Sequence, residues 1–175
     1  MPDHQKDKRT LRVASVQFES LPGDKHAYFR KIETFVEQAA DQGVQLIVFP
    51  ERCITGYWFI RNLSIAQLTA LAEPIPDGPS TRRLIDLARQ YRITLGAGLV
   101  EAAGSGVFHN SYVVALPGGT IHCHRKLHAF EHTAIRNGTD YTLFDLPESR
   151  PAYEDLHTGW RNEFPIELPT WTELA

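Results

Sequence analysis

Sulfur is scarce in this 175-residue chain, which has two cysteines, Cys53 and Cys123, and one methionine. Two thiols make no disulfide framework, so the fold needs an ordinary hydrophobic core and suits a reducing compartment. An excess of one charge is missing too, since 18 Lys and Arg stand against 21 Asp and Glu, a formal net charge of −3. That balance offers no electrostatic basis for nucleic acid or an anionic membrane surface as partner. No apolar run reaches the length of a membrane-spanning helix. The opening stretch MPDHQKDKRT lacks the apolar centre of a signal peptide. Repeats and low-complexity tracts are absent. What is left is the expectation of a cytoplasmic α/β protein with one main domain, long enough to bury roughly 70% of its unfolded surface.

What is there alternates between strand-like and helix-like stretches. LRVASVQF (Leu11–Phe18) has the β-branched alternation of a strand. Asp24 is placed to cap a helix whose apolar stripe is Phe29, Ile32, Phe35, Val36 and Ala39, ending near Gly43. VQLIVFP (Val44–Pro50) is a short apolar run of the kind covered on both faces, so strand, helix and strand predict a right-handed βαβ unit. Ser64 opens a second helix reaching about Glu73. Ser80 is placed to cap a third, with Leu84, Ile85, Leu87, Ala88 and Tyr91 facing inward. ITLGAGLVE reads as a strand in which Gly96 and Gly98 permit close backbone approach. GVFHNSYVVALP, GG and TIHCHRK then read as a hairpin turning on Gly118 and Gly119.

The run from Ile121 to His132, IHCHRKLHAFEH, concentrates the chemistry. His122 and His124 share one face of a strand, as paired metal ligands can, with His128 or His132 as a third nitrogen. The spacing fits no zinc pattern, and surface histidines on an antiparallel strand are the commoner explanation. Cys123 faces away from both rings, which suits an inert thiol. Cys53 lies two residues beyond Glu51 in a loop. Glu51 follows LIVFP at the carboxyl end of a central strand, where open α/β sheets place their sites. A carboxylate emerging there from apolar surroundings has the setting of a general base, and a solvated loop glutamate is the alternative. Lys126 ends its strand as either an exposed lysine or a cation for an oxyanion. Tyr57, Trp58 and Phe59 are candidate pocket walls, or core.

Three segments, LRVASVQFE, GVQLIVFPERCITGY and HNSYVVALPGGTIHCHRKLHAF, stand in an order and at separations that resemble the nitrilase superfamily of carbon–nitrogen hydrolases. EPIPDGPS and LGAGLVE are similar to its linking region. The resemblance covers residues 11–147. It implies a nitrilase-like α-β-β-α sandwich, represented here by its first half, and a Glu-Lys-Cys triad acting on small amides or nitriles without metal or organic cofactor. By position Glu51 matches the general base and Lys126 the lysine beside the tetrahedral intermediate. The resemblance also matches Glu131 to the additional acid that some members keep after the lysine.

The third member of that triad is missing, because no cysteine follows Lys126. From Glu148 to Ala175 the apolar residues are isolated and three prolines interrupt them. The expectation is a domain over 11–147 and an atypical, irregular tail over 148–175. A truncation or a reading-frame change near codon 148 explains it, and the tail composition favours the second. Such a chain is expected to be inactive alone, an incomplete hydrolase or a non-catalytic pseudoenzyme. Its uncovered apolar surface favours association, including as a homo-oligomer.

Overall fold

The computed structural model describes residues 11–18 and 23–146, so the tail from 148 lies outside the described residues. Asp24 starts the first helix as expected: its side chain accepts from the Ala27 N–H at 2.9 Å. Helix α1 (Lys25–Asp41) then buries Phe29, Ile32, Val36 and Ala39. Burial of side chains as large as Ile32 is worth at most about 1.5–3 kcal/mol each. The cap alone is worth about 1 kcal/mol. Asp24→Ala is therefore expected to lower the unfolding free energy by that amount, read as a lower urea midpoint with the slope of the transition unchanged.

Ser64 likewise caps α2 (Ile65–Leu71), with Gln67 reaching back to complete a capping box. The third helix departs from expectation. In α3 (Pro79–Tyr91) the cap position is Gly78, and Ser80 sits inside the first turn. Its N–H and Oγ donate to Glu73 at 2.7 and 2.9 Å. Glu73 is the buried acid that a local cap assignment overlooks.

The strands are β1 (Val13–Ser15), β2 (Leu46–Val48), β3 (Thr94–Gly104), β4 (Val107–Ala115), β5 (Ile121–Arg125) and β6 (Ile135–Arg136). They form one sheet in the order β1-β2-β3-β4-β5, with β6 beside β4. The first three run parallel, as the βαβ reading requires. β3, β4 and β5 are antiparallel neighbours, with Gly98 opposite Tyr112 and Tyr112 opposite His124. The β4–β5 turn needs a positive φ only at Gly119, so Gly118 does not share that role. Strand β6 is two residues long and carries no periodic signal, so pattern reading passes over it.

Alternation along the strands sorts the two faces. Leu95, Ala97, Leu99, Val113 and Ala115 join Ile47 and the apolar stripes of α1 and α3 in the largest core cluster. The opposite face carries Tyr112 and Val114, packed with Leu46, Phe144 and Leu146. Among the described residues there is one sheet with its long helices on one face. That is the first helix layer and first sheet layer of the expected α-β-β-α sandwich. We call the helix-free side the inner face.

Candidate active site

The site begins where β2 ends. The Phe49 N–H donates to Gly96 O, and the Tyr112 hydroxyl donates to Phe49 O at 2.7 Å. The chain then turns tightly, with the N–H groups of Thr55 and Gly56 donating to Arg52 O. This turn lies directly on β3, because the Ile54 N–H donates to Gly98 O at 3.1 Å. A Cβ on Gly98 would collide with the Arg52 backbone nitrogen. Glycine is thus required at 98, as its placement in ITLGAGLVE suggests. Arg52 itself has φ +50, unusual for a residue with a side chain, and this bend aims Glu51 at the inner face.

Lys126 arrives from the end of β5, its N–H bonded to Asn110 O at 2.8 Å. Its ammonium donates to Glu51 Oε1 at 2.9 Å and to Glu131 Oε1 at 2.8 Å. Asn110 on β4 donates from Nδ2 to both of those oxygens, at 2.9 Å to Glu131. Glu51 and Lys126, 75 positions apart, meet with Glu131 in one cluster. Glu51 is surrounded by donors there, not by the apolar walls its position in the sequence suggests.

Electrostatics hold Glu131 and Lys126 ionised. Burial would raise the Glu131 carboxyl, yet the hydrogen bond from Lys126 and then the charge of Arg52 outweigh it and bring it down to about 2. Burial would lower the Lys126 ammonium, but its bonds to Glu131 and Glu51 set it above the usual lysine value. Lys126 also lies 4.7 Å from the centroid of the exposed Phe130 ring.

Neither cysteine takes part. Cys53 points into the helix-side core, and burial pushes its thiol up to about 12. Cys123 sits on the helix side of β5, opposite the face of Lys126, with burial raising it to about 11. The histidines are occupied as scaffold. His122 stacks on Phe144 at 4.6 Å, and His124 is buried with Nδ1 3.3 Å from Thr142 Oγ1. His132 Nδ1 accepts from the Ala134 N–H, so its Nε2 donates to Leu63 O. Among the described residues no three His, Cys, Asp or Glu side chains group as a metal site.

Tyr57 packs on Arg52 beside the cluster, Trp58 is exposed, and Phe59 belongs to a small core cluster with Ile60 and Leu68. Two residues escaped sequence reading. Asn110 left one signal, its place beside Ser111 in the segment HNSYVVAL that resembles the family's hairpin. Arg52 left none, since neither its φ angle nor its burial is periodic.

The sequence model of the family described as carbon-nitrogen hydrolase matches residues 12–167. The chain belongs to the carbon-nitrogen hydrolase family. The match takes in part of the stretch beyond 147. This carbon-nitrogen hydrolase chain is 38% identical to a nitrilase of Pyrococcus abyssi over 122 residues, 69% of this chain and 44% of that protein. It is 30% identical to an omega-amidase of Xenopus laevis, over 78% of this chain and 51% of that one. The solved structure of a CN-hydrolase superfamily protein from Xanthomonas campestris aligns with a TM-score of 0.67 at 20% identity, covering 79% of this chain and 50% of that chain. The fold is therefore of the nitrilase type. The chain spans about half the length of the curated relatives it matches.

Proposed function

We propose that this chain carries the base and the cation of a carbon–nitrogen hydrolase centre for small amides or nitriles. The supporting observation is the Glu51–Lys126–Glu131 cluster, in which a carboxylate and a protonated amine share one polar patch on the inner face. In this reading Glu51 accepts a proton from the attacking group and returns it to the leaving amine. Two of the three Lys126 ammonium protons are held by Glu51 and Glu131. The third is the donor for the oxygen or nitrogen that becomes anionic when the substrate carbon is attacked. Asn110 fixes both carboxylates, so the cation is aimed before substrate arrives.

The thiol route of this chemistry would form and then hydrolyse a thioester. It needs a cysteine that the sequence does not supply after Lys126, and neither Cys53 nor Cys123 is placed to substitute. The chain alone is accordingly assigned only residual hydrolysis. The second reading, a non-catalytic half-fold used in binding or assembly, rests on the same missing thiol.

Ammonia release from a short aliphatic amide and a short nitrile separates the two. The hydrolase reading expects a slow rate that Glu51→Gln or Lys126→Ala removes and that Cys53→Ser with Cys123→Ser leaves intact. A rate blocked by thiol alkylation and lost with either cysteine would contradict the assignment of roles. Binding of the amide with no rate, unchanged by both cluster substitutions, would establish the non-catalytic reading.

A further inference from the structure

Arg52 is a fully buried arginine whose three guanidinium nitrogens find no hydrogen-bond partner among the described residues. Such a group is costly to bury unless its charge is compensated. Two neighbours supply that compensation. The Glu131 Oε1 lies 3.6 Å from Nη2, and the Tyr57 ring lies against the guanidinium, with Cζ 4.1 Å from its centroid. The left-handed turn at Arg52 is what carries this side chain under the cluster, while the adjacent Glu51 is sent to the inner face.

Counting charges shows why the position matters. Glu51 and Glu131 contribute two negative charges, and Lys126 balances one. Among the described residues Arg52 is the second cation in contact with this group, and Tyr57 beside it is neutral at ordinary pH, its hydroxyl raised by burial and by Glu51. Asn110, the polar side chain facing the cluster from β4, carries no charge. With Lys126 alone, two carboxylates that share Asn110 as donor would compete for a single cation, and one would take up a proton.

We propose that Arg52 is a positioning residue: its buried charge makes the Glu51–Lys126–Glu131 cluster neutral as a whole and holds Glu131 as the carboxylate that aims Lys126. Arg52 touches no reacting atom. It acts through Glu131, leaving Glu51 to serve as base. The inference rests on the reading of this cluster as the functional centre but concerns how the cluster is kept charged.

Carboxyl-labelled glutamate NMR on the full chain tests it, following Glu131 through an acid titration. Arg52→Met is expected to move the Glu131 midpoint upward from about 2 by roughly one to three units, and Arg52→Lys by clearly less. An unchanged midpoint in folded Arg52→Met would overturn the proposal, because a purely structural arginine would disturb stability and not this titration. Should Arg52→Met fail to fold, the double variant with Glu131→Gln decides. Recovery of the fold supports charge balance, and continued failure overturns it. Failure of the hydrolase reading would show instead as ammonia release indifferent to Glu51→Gln, a result that leaves the Glu131 titration untouched.

Discussion

Lys126→Met is expected to destabilise the chain by about 3–5 kcal/mol at pH 7, the cost of removing one partner from a buried ion pair. The Lys126 and Glu131 side chains are only 9% and 3% exposed, so solvent screens little of their interaction. Without the ammonium, Glu51 and Glu131 face each other across Asn110 with only Arg52 to balance them.

The pH dependence gives this prediction its own signature. In the native chain Glu131 has its folded pKa depressed from 4.5 to about 2. It therefore contributes stability that is present above about 4.5 and lost as pH falls toward 2. In Lys126→Met the sign reverses, since two crowded carboxylates raise the folded pKa of one of them above its unfolded value. The variant should regain stability as pH falls through that raised value, over the range in which only the folded state binds the extra proton. Urea unfolding at a series of pH values reads both limbs. A variant that loses stability in acid in parallel with the native chain would contradict the arrangement.

Gly98→Ala should have the second largest effect. The new Cβ would meet the backbone nitrogen of Arg52 and lie 3.1 Å from its Cα, and neither atom belongs to a flexible side-chain tip. Over-packing at a site of this kind costs about 1–3 kcal/mol. The greater consequence is local. Relief requires the turn to lift from β3, which breaks the bond from the Ile54 N–H to Gly98 O and carries Glu51 away from Lys126. Gly98→Ala should therefore lose the Glu51–Lys126 pair while retaining the helix-side core, visible as altered Glu51 and Lys126 side-chain resonances with helical circular dichroism preserved. An unchanged pair would show that the turn is free to adjust.

These two residues show what is legible in the sequence. Helix caps at Asp24 and Ser64 can be read because the capping atoms sit within three positions of the groups they satisfy. The stripe of α1 can be read because its buried face repeats with the helical period. Ser80 misleads for the opposite reason. Its partner, Glu73, lies seven positions away across a turn, and a local rule assigns the serine to its own helix end.

The site divides along the same line. Glu51 and Lys126 stand out by segment resemblance, and their 2.9 Å approach depends on β2, β3, β4 and β5 lying side by side. Asn110 and Arg52 act through that long-range geometry alone. Asn110 works from its strand neighbours and Arg52 from a left-handed turn, and neither property has a sequence period. Strand β6 is invisible to pattern reading because two residues, Ile135 and Arg136, are too few for alternation to declare itself.

Glu51 and Lys126 are expected to act as one unit, and a double-mutant cycle on folding stability tests this most directly. Glu51→Gln, Lys126→Met and the double variant are compared by urea unfolding at pH 7. A coupling of about 1 kcal/mol or more between the two substitutions is expected for side chains sharing one hydrogen-bonded ion pair. Effects that simply add, to within about 0.5 kcal/mol, would mean the two residues do not share a cluster and would remove the basis for assigning them to one reaction centre.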